Sequence, residues 1–427
     1  MRQMLQDAAA PALAPVILIV LVFALALPYV DPAPPKHIII TTGSDEGKYK
    51  EFAEQYRGIL ERDGITLEVR RSAGAVENIA RLNDPNSDVT VGFAQDGLAA
   101  PAGSRGLVSL GSLYFEPVWI FSRMPAQISR LSMLRGKRIA TGRLGGGTRS
   151  LALRMLAASG VNEKNSKLLA MGSADAATAL LQGDVDTAFF VGTADTAPIA
   201  GLLRNPRVSL ADLEQADAFT RQMPFLHHLV LPRGAIDLGQ NIPDRDIDLV
   251  APSATLIARD SLHPALIDLL LNAATEVHHS PGLFNHEHQF PADKDTDLPL
   301  ADAAARFFKS GSPWLHRTLP FWLASLIDRL LVLIVPLVAI LIPFTRIVPA
   351  VYGWRVRSRI FKWYGELKFI ELSIEKNPDH EQCAALLKRL DWIDAKVNRI
   401  KIPLAFSHHV YILREHIDLV RRRLQNG

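Results

Sequence analysis

Residues 41–60 read TTGSDEGKYKEFAEQYRGIL and directly follow the apolar run Ile38–Ile40. The apolar run predicts a strand, the Gly43-Ser44 pair predicts a break, and the residues from Tyr49 onward predict a helix. A helix that begins just after a strand leaves free backbone N–H groups at its start. The stretch therefore predicts an α/β unit. Three interpretations of its turn are open: a phosphate cradle, a catalytic loop or a site for a small anion.

Strand-like and helix-like runs continue to alternate after this stretch. The clearest helical patterns are Ser150–Ser159, Ala174–Gln182 and His263–His279. Short β-rich runs that alternate with helices predict an α/β fold with mostly parallel sheets covered by helices. The candidate strands are His37–Thr42, Thr66–Ser72, Asp88–Gln95, Val118–Ser122, Lys137–Thr141, Lys167–Met171, Thr187–Val191 and His228–Leu231.

Three strand-to-helix turns consist of small residues. They are Thr42-Gly43-Ser44, Ser72-Ala73-Gly74-Ala75, and the run Gly145–Gly147 that precedes Thr148. In open α/β sheets the ligand lies beyond the carboxyl ends of the strands, where helices begin. Small residues let a ligand approach the backbone closely. These turns are therefore the predicted binding region.

Sequence motifs of common enzymes are missing from the chain. The glycine run at 145–147 is not followed by Lys-Ser or Lys-Thr, so it is not the phosphate loop of nucleotide hydrolases. Neither G-x-S-x-G nor H-E-x-x-H occurs. We interpret the histidines at 279, 286 and 288 as residues of a solvated loop rather than as ligands of a metal. We therefore predict no catalytic residue, no metal and no cofactor.

Charge is distributed unevenly along the 427 residues. Residues 346–427 carry 16 Lys and Arg against 9 Asp and Glu, whereas the remainder carries 31 against 35. With 48% hydrophobic residues the chain is globular rather than disordered. Cys383 is the only cysteine, so an intrachain disulfide is impossible. The asymmetry suggests that the C-terminal part and the rest face different surroundings.

Residues 11–30, PALAPVILIVLVFALALPYV, contain no charged side chain. At about 1.5 Å per residue a helix here would be roughly 30 Å long, which matches the apolar core of a bilayer. Ala24-Leu25-Ala26 resembles a cleavage site, so a signal peptide is the alternative. Since the preceding residues are only weakly basic, we expect residues 1–30 to be an uncleaved membrane anchor.

A second apolar segment covers residues 319–345 and is predicted to span the membrane, with a buried core helix as the alternative. Aromatic residues flank it, as at membrane interfaces. The arginines at 346, 355, 357 and 359 follow it, with no acid before Glu366. Basic residues mark the cytoplasmic side, so residues 31–318 are expected to be extracytoplasmic.

Residues 346–427 show apolar residues at helical spacing, with breaks at Asn377-Pro378 and Pro403. The pattern predicts a small cytoplasmic bundle of three helices. No kinase, cyclase or winged-helix signature is present, so we interpret this segment as an assembly or docking element. Its basic residues suit the anionic inner leaflet of a membrane.

Several quoted stretches, taken in order, resemble the TAXI-type solute receptors of TRAP transporters over roughly residues 37–310. They are TTGSDEGKY, RSAGAVENIARLNDPNSDVTVGFAQDG, YFEPVWIFSR, LRGKRIATGRLGGGTRSLALRML, ALLQGDVDTAFFVG and FLHHLVLPRGAIDL. The resemblance implies a type II periplasmic-binding-protein fold with two α/β lobes that close on a ligand. It implies a first lobe of about residues 36–117 plus 229–310 and a second lobe of about 118–228. Members of this family bind small organic acids such as glutamate without enzymatic turnover.

Carried over by position, the resemblance implies that both lobes contribute ligand contacts. Helix N-termini and an arginine suit a planar carboxylate, and Arg149 is the expected partner. As alternatives, Arg149 is an ordinary exposed helix residue, Ser44 a helix cap and Glu77 an acid that stabilises its own helix. The implied ligand-binding residues are Gly43, Ser44, Tyr49, Ser72, Gly74, Ala75, Asn78, Gln95, Gly147, Thr148, Arg149, Val191 and Gly192.

The chain departs from the family pattern in two ways. Asp45-Glu46 places two acids beside an anion-binding turn, which leaves room for a zwitterion or a neutral solute. The chain also lacks a lipid-attachment cysteine and continues into a second apolar segment and a basic tail. We expect a solute receptor in the bacterial inner membrane that serves a TRAP-type permease and binds no nucleic acid. The alternative is a sensor that signals through the second span.

Overall fold

The computed structural model describes residues 33–45, 47–98, 106–294, 297–312, 319–376, 380–400 and 406–426, together with Val20 and Ala24. The chain divides into two compact units. One is Pro32–Leu326, called the body below. The described residues from Ile327 onward belong to the other unit and are called the tail. The predicted N-terminal anchor lies outside the described residues apart from Val20 and Ala24.

The first lobe of the body is built on a sheet whose central strands are parallel. Its strands are β1 (His37–Thr41), β2 (Thr66–Arg70), β3 (Val91–Gln95) and β4 (Leu107–Phe115), joined by β11 (Ile247–Arg259). Its helices are α1 (Lys48–Arg62), α2 (Ala75–Asn83), α7 (Pro264–His278) and α8 (Asp302–Ser310). Ile40, Tyr56 and Phe93 lie in its core with no more than trace exposure. The apolar run Ile38–Ile40 is thus a central buried strand, as its composition predicts.

A second sheet, with the strand order β7-β6-β8-β5-β9, forms the second lobe. Its strands are β5 (Val118–Ser122), β6 (Arg138–Ala140), β7 (Lys167–Leu169), β8 (Thr187–Val191) and β9 (Ser209–Leu210). Around them lie α3 (Gly147–Ala158), α4 (Ser173–Gln182), α5 (Ala197–Leu203), α6 (Ala216–Gln222) and β10 (Leu226–Leu231). Trp119 and Phe189 are buried on opposite faces of this sheet, in two separate apolar clusters. The prediction of an α/β fold with two sheets is confirmed. The expectation of mostly parallel sheets is wrong, because β5 and β11 pair antiparallel with all their neighbours.

Two crossing segments join the lobes. The outward one is Glu116-Pro117, between β4 and β5, and the return one lies inside β11. The first half of β11 pairs with β10, and from Ser253 onward the strand pairs with β3 and β4. The backbone N–H of Glu116 donates to the carbonyl of Pro252 at 2.9 Å, so both segments meet at one point.

The return crossing lies later in the chain than the expected lobe boundary at residue 229. Leu229 in β10 and Leu249 in β11 both lie in an apolar cluster of the second lobe. Because β10 hydrogen-bonds along β11 before β11 changes partners, the chain stays with the second lobe until Pro252. A proline within a strand marks such a change, since it cannot donate to a neighbouring strand.

The strand-to-helix turns of the first lobe are tied together by Asn78, which is fully buried in α2. Its Oδ1 accepts from the hydroxyls of Thr41 and Ser72, both at 2.7 Å. Its Nδ2 donates to the carbonyls of Thr42 and Phe93. One side chain therefore connects the ends of β1 and β3 with the turn after β2.

The tail consists of helices around its own apolar core. Its elements are α9 (Phe321–Ile374), which begins in the body, α10 (His380–Asn398) and α11 (Ser407–Asn426). Ile370, Ile393 and Ile417, one from each helix, are completely buried in that core. Among the described residues, no helix combines the length and the apolar character needed to cross a membrane.

Replacing Asn78 with alanine should destabilise the body. The substitution leaves two hydroxyls and two carbonyls without their buried partner, at about 1–3 kcal/mol for a group left unsatisfied. We expect Asn78→Ala to lower the free energy of unfolding by about 3 kcal/mol, measured by urea denaturation. Asn86→Ala, at an exposed turn, is the matched control and should change it by less than about 0.5 kcal/mol. Equal effects of the two substitutions would contradict the role assigned to Asn78.

Candidate functional site

A cleft of about 120 Å³ lies between the two lobes of the body. It is smaller than the roughly 300–1,000 Å³ typical of sites for drug-sized ligands, so it suits a small solute. The residues that line it come from both lobes. The site is therefore built only when the two halves of the body come together.

The N-terminal ends of helices from both lobes lie around the cleft. Lys48, Ala75, Gly147 and Ser173 are the first residues of α1, α2, α3 and α4, and each of them lines the cleft. The first turn of a helix has unpaired N–H groups and the positive end of the helix dipole. Four such ends around one small space create a site that favours a negatively charged group.

Most of the expected ligand-binding residues line this cleft. The three small-residue turns meet there, as their position after the strands predicts. Tyr49 forms part of the wall, with its ring stacked on Phe93 at 5.0 Å between centroids. The expected residues found in the lining are Gly43, Ser44, Tyr49, Gly74, Ala75, Gln95, Gly147, Thr148, Val191 and Gly192.

Ser72 and Asn78 do not line the cleft, so their expected contact with the ligand stays a prediction that this geometry does not favour. The hydroxyl of Ser72 donates to Asn78 at 2.7 Å and accepts from the N–H of Gly74 at 3.0 Å. Both side chains use their hydrogen-bonding capacity within the first lobe. They fix the turns of the first lobe that adjoin the cleft.

Arg149 also lies outside the lining, so its expected contact with a carboxylate stays a prediction that this geometry does not favour. Its guanidinium donates to the hydroxyl of Thr141 at 2.5 Å, at the end of β6. The residue that lines the cleft instead is Arg143, at the other end of the same glycine run. Its side chain lies against Gly172, the residue that precedes α4. Both arginines flank the same loop, and the fold places only Arg143 in the lining of the cleft.

Two further charged residues of the lining were not predicted, Lys48 and Glu116. The ammonium of Lys48 forms ion pairs with Glu51 at 2.7 Å and with Asp195 at 2.8 Å. Asp195 belongs to the second lobe, so the second of these pairs crosses the cleft. The motif YFEPVW contains Glu116, but nothing in its local pattern marks the crossing between lobes.

Glu116 is buried, with 7% of its surface exposed, at the point where the crossing segments meet. Its carboxyl accepts from the hydroxyl of Tyr49 at 3.0 Å and from that of Tyr114 at 3.4 Å. Burial raises the pKa of Glu116 to about 7, although the two tyrosine hydrogen bonds oppose this shift. The floor of the cleft therefore holds a carboxyl that changes its charge near neutral pH.

The two lobes touch closely at the glycines of the cleft. Gly74 has a φ of 132°, and a Cβ there would lie 3.4 Å from the Cα of Gly146. A Cβ on Gly147 would lie 2.3 Å from Oε1 of Gln95. A Cβ on Gly74 would thus just touch the other lobe, and one on Gly147 would displace the amide of Gln95. The φ of Gly74 is what requires glycine there. The amide of Gln95 reaches from the first lobe to the start of α3.

Two acids of the first-lobe turns, Asp45 and Glu77, do not line the cleft. Asp45 is exposed and forms ion pairs with Lys50 and Arg71, so its charge is compensated away from the lining. Glu46 lies outside the described residues. Glu77 accepts from the N–H of Ala73 at 2.7 Å, so it stabilises the start of α2. This agrees with the alternative interpretation of Glu77 as an acid that stabilises its own helix. The cap position of α1 is Gly47, which leaves the hydroxyl of Ser44 for the cleft.

Comparison with known proteins gives one family and a set of distant structures. The solved structures include the periplasmic aliphatic sulphonate binding protein SsuA from Escherichia coli (18% identity, 56% of this chain, 69% of that chain, TM-score 0.37). A Salmonella typhimurium periplasmic binding protein with high arginine specificity matches with 14% identity, 58% and 96% coverage and a TM-score of 0.37. XAC2383 from Xanthomonas citri, bound to ATP, matches with 14% identity, 65% and 96% coverage and a TM-score of 0.39. Similarities this distant do not identify a ligand.

The family match is broader. A family model described as NMT1-like matches residues 40–310, which include both lobes and the cleft. Since these residues make up well over half of the chain, the protein belongs to the NMT1-like family.

Proposed function

We propose that the protein is a receptor that binds a small organic acid or an amino-acid-like solute between its two lobes, without chemical turnover. The observation that carries this proposal is the set of four helix N-termini, from both lobes, around one cleft of about 120 Å³. A carboxylate there receives hydrogen bonds from backbone N–H groups that have no partner within their helices.

Side chains of the lining complete the anion site. Arg143 supplies a planar guanidinium that matches a carboxylate, and Lys48 supplies an ammonium. Because Lys48 also pairs with Asp195 across the cleft, closing the lobes and fixing the charge at the site are linked. A hinged clamp of this kind holds a solute and releases it when the lobes open.

The receptor is proposed to serve a TRAP-type transporter in the bacterial inner membrane, with the body extracytoplasmic and the tail cytoplasmic. The similarity of its motif order to TAXI-type receptors supports the transporter class. The uncharged residues 11–30, the apolar residues 319–345 and the basic residues that follow them support the tether and its orientation. The partners implied are permease subunits and the membrane.

A sensor is the second candidate function. The specific observation in its favour is that the tail has an apolar core of its own, formed by α9, α10 and α11. A tether alone needs no folded unit after the apolar segment. If the tail binds a signalling partner only when solute is present, the receptor transmits a signal rather than delivering a solute.

The anion site predicts different effects for two neighbouring arginines. Arg143→Ala should weaken binding of a carboxylate by roughly tenfold to a hundredfold, because one charge-assisted interaction contributes about 1.5–3 kcal/mol. Calorimetric titration with the best ligand from a screen of small carboxylates measures this change. Arg149→Ala is the matched control, since Arg149 flanks the same glycine run but lies outside the lining.

Arg149→Ala should leave the affinity within about twofold. The opposite result, a large loss for Arg149→Ala and none for Arg143→Ala, would overturn the assignment of the site. Melting curves of both variants show whether a loss of binding is a loss of folding.

The proposed topology is tested with reporter fusions. A reporter fused after residue 200 should be extracytoplasmic and one fused after residue 365 cytoplasmic, because the apolar segment 319–345 lies between them. Deleting residues 319–345 should move the second reporter to the extracytoplasmic side. Two reporters on the same side in the undeleted chain would remove the second span from the proposal.

A further inference from the structure

One side chain at the floor of the cleft is an acid, although the other charged groups of the lining are positive. Glu116 is a carboxyl, whereas Lys48, Arg143 and the helix N-termini all favour negative charge. Glu116 is 7% exposed, and within the described part of the chain no Lys or Arg pairs with it. An ionised carboxylate buried without a cation is costly unless something else compensates it.

The groups that face Glu116 from the surrounding elements are neutral or acidic. Tyr49 of α1 and Tyr114 of β4 donate to it, and burial raises the pKa of both tyrosines well above 10. His278 of α7 stacks on Tyr114 at 5.5 Å, and burial lowers its pKa to about 3, so it stays uncharged. Asp96, at the end of β3, acts on Tyr49 with negative charge. No neighbour on these elements supplies the positive charge that an ionised Glu116 needs.

We infer that Glu116 is a specificity residue that accepts a protonated nitrogen of the ligand, while the helix N-termini and Arg143 hold the ligand's carboxylate. The inference rests on the proposed anion site and narrows its ligand to acids that also carry an ammonium group. Two tyrosine hydrogen bonds occupy only part of the acceptor capacity of a carboxylate, which is about four lone pairs, so room for a further donor remains.

The same arrangement couples binding to proton release. In the free protein Glu116 has a pKa of about 7 and is about half protonated at that pH. A bound ammonium favours the ionised carboxylate and lowers this pKa, so binding at pH 7 should release about half a proton. The affinity for such a ligand is then highest above pH 7. Below pH 7 it falls by roughly tenfold per pH unit, until the pH reaches the pKa of Glu116 in the ligand-bound protein.

The test uses the purified full chain and three pairs of acids that differ only by a 2-amino group. The pairs are propionate and L-alanine, succinate and L-aspartate, and glutarate and L-glutamate. Thermal shift identifies binding, and calorimetry in phosphate and in Tris buffer measures affinity and proton release. We expect at least one of the amino acids to bind. Glu116→Gln should lower the affinity for that amino acid at least about thirtyfold and abolish proton release.

Glu116→Gln keeps the size of the side chain and its ability to bond with Tyr49, so folding should be retained. Glu276→Gln, an exposed glutamate paired with Arg62, is the control and should behave like the unmodified chain. If only the plain acids bind, or if the variant binds the amino member unchanged, the inference is wrong and the anion site stands. If no acid of either kind binds, the proposed function fails together with the inference.

Discussion

The buried hydrogen-bond network of Asn78 is the constraint on which the binding region depends. Parallel strands end at one edge of a sheet, but nothing in the sheet itself fixes the turns that leave it. Asn78 binds Thr41, Thr42, Ser72 and Phe93, so it joins the turns after β1 and β2 to strand β3. Because the network is fully buried, each group would lose a partner that water cannot replace. The cleft is therefore preorganised in the first lobe before the second lobe closes on it.

Close contact between the lobes follows from the same turns. Gly74 and Gly146 approach each other without side chains, and Gln95 reaches the start of α3 beside Gly147. The small residues thus have two roles, since they expose backbone N–H groups and also let the lobes meet. Glu116 lies below this contact, where both crossing segments pass. Glu116 therefore adjoins both the cleft and the segments that join the lobes.

Much of the fold could be predicted from the sequence, because strands and helices alternate with clear periods and the turns contain small residues. Other features depend on tertiary contacts that leave no local pattern. Arg143 and Arg149 flank one glycine run, and only the packed helix shows that Arg149 turns toward Thr141. The return crossing within β11 was missed because β10 reads as an ordinary strand of the first lobe. Glu116 lies within the motif YFEPVWIFSR, but its burial results from the contact of two segments that are distant in sequence.

The central claim is that the cleft holds one small acid. Native mass spectrometry of the full chain, purified without added ligand from the cells that produce it, tests this most directly. We expect one bound small molecule per chain, identified as an acid after release, and its loss in Arg143→Ala but not in Arg149→Ala. A bound molecule with no acidic group, or one retained equally by both variants, would contradict it.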